Sequence, residues 1–216
     1  MHIREIHLLT NDIEGTRQFY TEQLDARTDT INGTSISFLM GSTRLAFTLT
    51  EEPEPYYHIA FDIPNNQLEE AFHWTSQRIP ILPVSDNSMI ADYPRWDARS
   101  FYFYDNNGNI LELISRYEVP SQSSEPFSGS SILYASETGI AVEDVAAFSD
   151  HLVEQYGLEL FKKQPRLQNF AAVGTDTGLF IISTTNRNWY PVDRKALPFP
   201  TRVVFEVNGR TMELEV

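Results

Sequence analysis

The chain has no cysteine. That excludes a disulfide framework and any thiolate metal site, and it fits a reducing, cytoplasmic compartment. Long apolar runs are also missing, and the opening MHIREIHLL lacks a signal-peptide layout, so no membrane partner is expected. Basic residues are few: 16 Lys and Arg stand against 30 Asp and Glu, a formal net charge of −14. With no basic patch to offset that field, nucleic acid is excluded as a partner. The 10 glycines are scattered at turns, so no phosphate-cradling loop exists, and no Ser–His–Asp spacing is present. What remains is 216 residues, 41% hydrophobic, ample for one large domain or two small ones with a real core.

The periodicity predicts a strand over Ile3–Leu9 and a helix over Ile13–Leu24, with Asn11 as N-cap and Glu14 completing a capping box. Strands follow at Ala26–Asn32, Ser35–Met40 and Arg44–Thr50. The order then repeats: strand His58–Ile63, helix Gln67–Arg78, and strands Ile81–Val84, Ser100–Tyr104 and Asn109–Ser115, the last two joined by an NNGN turn. Residues 1–117 thus read as two βαβββ modules. The polar, Ser- and Pro-rich segment 118–131 reads as a linker. A third module starts after it. GIAVEDVAAFSDHLVEQYGLEL aligns without a gap on HLLTNDIEGTRQFYTEQLDART, with Gly139 against His7. Strands near Gln168–Val173 and Gly178–Thr184 continue this module. TRVVFEVNGRTMELEV reads either as a first strand or as a hairpin turning at Asn208-Gly209, and the Asn-Gly pair favours the hairpin.

Asp12-Ile13-Glu14 leading into Phe19-Tyr20, then His58-Ile59-Ala60-Phe61, then Asp105-Asn106-Asn107-Gly108-Asn109 leading into Glu112-Leu113, follow one another in an order and spacing that resembles the vicinal oxygen chelate superfamily. That group comprises the glyoxalase, bleomycin-resistance and dioxygenase proteins. The resemblance implies an α+β fold in which tandem βαβββ modules form an eight-stranded open barrel. Residues 1–117 would be the complete glyoxalase-like domain, and residues 132–216 a partial, degenerate copy.

The resemblance also implies a metal in the cleft, held from the first strand of each module and the last strand of the second. Carried over, His58 is the second-module histidine and Glu112 the last-strand carboxylate. Glu5 stands where the family places its first-strand ligand, with His7, two residues on and on the same face, as the alternative. The fourth position, near Phe47, is apolar. Glu137 and Glu213 echo Glu5 and Glu112 without an imidazole partner. Such a set suits Mn, Fe, Ni or Zn, and two buried carboxylates in one cleft call for a cation, be it a metal, a cationic ligand or an Arg. Glu112 and Tyr102, facing each other across the NNGN hairpin, are the candidate catalytic residues. Arg95, Trp96 and Arg99 are candidate rim residues, and His2, His73 and His151 lack a ligand constellation. The function expected is a metal-dependent glyoxalase- or dioxygenase-type protein acting on a small molecule with vicinal oxygens. The alternative is a metal-free binder of a bleomycin-like cationic drug. A homodimer is expected, because an incomplete second half would leave strand edges unpaired.

Overall fold

The computed structural model describes residues 1–216. The first module comprises β1 (His2–Thr10), α1 (Ile13–Gln18), β2 (Arg27–Ile31), β3 (Ser35–Met40) and β4 (Thr43–Leu49). Helix α1 runs on as a π-turn over Phe19–Gln23, covering most of the expected helix. Its N-cap is Asp12, whose carboxylate accepts from the Gly15 amide at 2.8 Å. Asn11 donates instead to the carbonyls of Thr50 and Glu52. The second module comprises β5 (His58–Asp62), α2 (Leu68–Ser76), β6 (Ile81–Leu82), β7 (Ala91–Tyr93), β8 (Ala98–Tyr104) and β9 (Ile110–Arg116). The third supplies β10 (Tyr134–Val142), α3 (Val145–Tyr156), β11 (Phe170–Thr175) and β12 (Gly178–Thr184). A small ribbon follows, β13 (Asn188–Trp189) with β14 (Arg194–Lys195), and then the terminal hairpin of β15 (Arg202–Val207) and β16 (Arg210–Glu215). That hairpin turns at Asn208 and Gly209, both at positive φ, as a two-residue turn matched to strand twist requires.

Within each full module the first and last strands pair in parallel, β1 with β4, β5 with β9 and β10 with β12. Between modules the pairing departs from the expectation of a complete unit over 1–117. β1 takes β15 as its antiparallel neighbour, and β5 takes β10. One sheet therefore runs β16-β15-β1-β4-β3-β2, and the other runs β11-β12-β10-β5-β9-β8-β6 with β7 on β8. Modules one and two share no ladder, and neither sheet closes into a barrel. The boundary near residue 117 cuts across both sheets, because the half-module at the C-terminus completes module one and the third module completes module two. The first strands are thereby paired on both sides, and β16, β2, β11 and β6 remain as sheet edges.

Segment 118–131 is docked rather than free. Side chains of Asn65, Asn66 and Gln67 donate to the carbonyls of Val119, Ser123 and Glu125, and Phe127 is buried against Trp74. One core of 36 buried side chains draws on both sheets, all three helices and this strap, including Phe38, Phe61, Phe180 and Phe205. No helix is long and apolar enough to cross a membrane.

Phe205, fully buried in the terminal hairpin, packs against Tyr156 of α3 and Phe180 of β12 in the common core. Phe205→Ala is expected to cost about 3–5 kcal/mol in chemical denaturation. A fragment ending at residue 117 is expected to show no cooperative thermal transition by circular dichroism, whereas an independent domain there would melt sharply.

Candidate metal centre

The centre forms on the cleft face of the larger sheet, where β9, β5 and β10 lie side by side. Glu112 is opposite Ala60 on one flank, and Glu137 is opposite Ala60 on the other. Neighbouring strands are about 4.8 Å apart, so two long carboxylates reach toward each other over the small Ala60 side chain. His58, two residues before Ala60, points to the same face. The ligand-capable atoms of His58, Glu112 and Glu137 all lie within 4.8 Å of one another, and all three residues are buried.

A register shift in β10 between Ala135 and Glu137 aims the second carboxylate. β1 carries its own shift between Ile3 and Glu5, the equivalent place in the repeat. Glu137 is therefore the repeat counterpart of Glu5, transplanted into the cleft by the β5–β10 pairing. Gly139 stands where the repeat has His7. A Cβ there would lie 2.7 Å from the Trp189 ring and 3.0 Å from the His58 Cβ, so only glycine lets the indole close over the imidazole.

The imidazole is oriented by its backbone contact. Nδ1 lies 3.2 Å from the Ile110 carbonyl, which can only accept. Nδ1 must then carry the proton, and the Nε2 lone pair faces Glu112 at 3.6 Å and Glu137 at 4.0 Å. Burial pushes His58 down to about 4, keeping it neutral. Arg116, almost wholly buried, donates to Glu137 and, at 3.2 Å, to Asp62. That leaves the other Glu137 oxygen turned to the centre. Burial, and next the Glu137 charge, push Glu112 up to about 8. Burial also raises Glu137, against the pull of Arg116. With Arg116 shared between Asp62 and Glu137, the cluster is short of positive charge. Three converging lone-pair donors and missing positive charge fit a divalent cation.

The sequence-derived residues divide. His58 and Glu112 are brought together, and Tyr102 pairs with Glu112 in the β8–β9 register. The Tyr102 hydroxyl is hydrogen-bonded to Tyr93, and burial with the Glu112 charge holds it as a phenol. Glu5 and His7 are placed elsewhere, which corrects the expectation that either completes the set. They sit on β1 in the other sheet, Glu5 Oε2 2.7 Å from His7 Nε2, both partly exposed. Arg202, opposite His7, occupies the place corresponding to His58 and pairs with Glu213. That sheet thus holds a self-neutralised counterpart of the centre. Phe47 is buried in the core. Of the rim candidates, Trp96 lines the cleft, Arg95 is exposed and Arg99 pairs with Glu69 on the surface. The signal for Glu137 was its alignment with Glu5 in the gapless repeat.

Above the donors lies a cavity of about 310 Å³, walled mainly by aromatic and aliphatic side chains, among them Trp96, Phe170, Trp189 and Tyr190. Its volume is in the range of small-molecule sites.

No family model and no curated protein matches the sequence. Solved structures do. A putative dioxygenase from Bacillus subtilis superposes with a TM-score of 0.63 at 14% identity, covering 100% of this chain and 84% of its own. A glyoxalase/bleomycin resistance protein/dioxygenase from Nocardioides matches 58% of this chain and 89% of its own, at 23% identity and a TM-score of 0.44. A fosfomycin resistance protein from Listeria monocytogenes, solved with Mn(II) and a dihydroxypropylphosphonic acid, covers 52% of this chain and 87% of its own, at 20% identity and a TM-score of 0.41. The chain shares the fold of that putative dioxygenase over its whole length.

Stability without metal should depend on pH in a defined sense. Glu112, pushed up to about 8 from an ordinary 4.5, holds a proton in the folded state that the unfolded chain has released. Its contribution is complete below 4.5 and is lost as pH rises through 8. His58, lowered from 6.5 to about 4, opposes this only below 6.5. The melting temperature of chelator-treated protein is therefore expected to fall from pH 6.5 to pH 8. Glu112→Gln should flatten that fall in differential scanning fluorimetry; an unchanged slope in the variant would refute the assignment.

Proposed function

We propose that the protein is a metal-dependent enzyme of the glyoxalase and dioxygenase kind, acting on a small molecule with vicinal oxygens. The observation that carries this reading is the convergence of His58, Glu112 and Glu137 at the floor of the cavity. These three residues would hold a divalent ion of the Mn, Fe, Ni or Zn type. Bound there, such an ion would supply Lewis acidity to substrate oxygens.

The chain's own residues do the rest. The Ile110 carbonyl fixes the His58 tautomer, and Arg116 steadies Glu137 while leaving one of its oxygens for the ion. Tyr102, neutral and tied to Tyr93, is placed to donate to a substrate oxygen. Glu112, whose charge is disfavoured by burial, would be stabilised as a carboxylate ligand by that ion. Trp189 closes over His58, with ring centroids 5.6 Å apart, and keeps bulk water from the donors.

A second reading, a metal-free binder of cationic aromatic drugs, draws on the same two carboxylates beneath aromatic walls. Elemental analysis and titration with Mn²⁺, Fe²⁺, Ni²⁺ and Zn²⁺ separate the two. One equivalent per chain is expected, and His58→Ala or Glu137→Gln should weaken it by at least about tenfold, in line with losing one ligand or its support. Glu5→Gln should leave it unchanged. Absence of binding for all four ions, with stabilisation by a cationic aromatic that survives chelator, would transfer the function to the second reading.

A further inference from the structure

Arg187 is the single cationic side chain among the residues lining the cavity. It lies between β12 and β13, and its backbone is pinned on both sides. The Arg187 amide donates to Thr184 at 3.0 Å, and its carbonyl accepts from Ala196 at 2.9 Å. The guanidinium lies 4.6 Å from the centre of the Phe170 ring. A ring face supports the charge but accepts none of the five N–H bonds a guanidinium can make. The other buried or cleft-side cations are committed, Arg116 to Asp62 and Glu137, and Lys163 to Glu118 and Asp176. Arg187 has no ion-paired carboxylate, and burial lowers its proton affinity with nothing offsetting it. Glu143 and Asp144 border an outer groove that it also touches, yet neither forms an ion pair with it.

A half-buried guanidinium without a partner carries a desolvation cost that an anion would relieve. The charge count in the cleft agrees. A divalent ion at the floor balances Glu112 and Glu137, and Asp62 balances Arg116, so Arg187 is the surplus charge. We propose that Arg187 is a specificity-determining residue that receives an anionic substituent, a carboxylate or its equivalent, on a flat apolar substrate whose vicinal oxygens face His58, Glu112 and Glu137. This rests on the metal-centre reading for the placement of the oxygens, while the anion preference rests on Arg187 itself. It argues against a cationic drug, whose charge would meet the guanidinium at the cavity wall.

The test uses three catechols with the same vicinal oxygens and different charges: 3,4-dihydroxybenzoate, 3,4-dihydroxybenzamide and 3,4-dihydroxybenzylamine. Their binding to Zn²⁺-loaded full-length protein is read by quenching of tryptophan fluorescence, since Trp96 and Trp189 line the cavity. The acid should bind about tenfold more tightly than the amide, as a charge-assisted pair gives, and the amine most weakly. Arg187→Gln should make acid and amide equal while the Zn²⁺ stoichiometry stays at wild-type level. A preference for acid that persists in Arg187→Gln, or an acid that binds no better than the amide in the wild type, overturns the inference. If Zn²⁺ is not retained, whichever of Mn²⁺, Fe²⁺ or Ni²⁺ binds replaces it, and failure of all four refutes the metal reading separately; the acid-to-amide ratio in chelator-treated wild type and Arg187→Gln then decides the role of Arg187 by the same criterion.

Discussion

The antiparallel junction of β5 with β10 is the constraint from which the rest of this structure follows. It joins two modules that are separated by a strap into one sheet, and it buries every residue of β5 on both faces. On one face, Ile59 and Phe61 enter the common core. On the other, His58 lines the cleft and Ala60 is buried against Ala98 and Ile114. The register places Glu137 beside Ala60, and the irregularity in β10 turns its carboxylate inward. A slip of one residue would send Glu137 to the core face and leave Glu112 without a second carboxylate.

That junction creates an electrostatic problem as well as a site. Asp62, Glu112 and Glu137 are buried within a few residues of one another, and a buried anion is tolerated only with a partner. Arg116 is the structural answer to part of this. It spans Asp62 on β5 and Glu137 on β10, so it clamps the junction and orients a ligand-capable carboxylate with the same contacts. The remaining deficit is local to His58 and Glu112, which is where an ion is wanted.

The other sheet solves the same problem without a ligand. There β1 meets β15 in the corresponding geometry, with Glu5 in the place of Glu137 and Arg202 in the place of His58. Arg202 and Glu213 pair, Glu5 and His7 pair, and the cluster stays partly exposed. Arg202 sits among His7, Glu5 and Glu213 in one half, and the other half keeps an open deficit under an aromatic roof. This asymmetry places the buried donor cluster between modules two and three, while the corresponding cluster at the junction of β1 and β15 stays partly exposed.

How much was legible in the sequence follows from the range of the interactions involved. Strands, helices, the NNGN and Asn-Gly turns and the repeat itself are set by local periodicity and turn chemistry, and they stand close to where the sequence puts them. His58 and Glu112 were legible because they belong to one module, whose first and last strands pair by a rule internal to that module. Glu137 was visible only as the aligned partner of Glu5, and Arg187 carried no signal at all, since an arginine near a turn becomes informative only when its surroundings lack an acid. The sequence by itself determined three successive strand-rich modules with a closing hairpin, and two of the three candidate donors. The tertiary structure alone decided which modules share a sheet, because every first strand offers a similar backbone edge and the choice rests on packing between residues far apart in the chain.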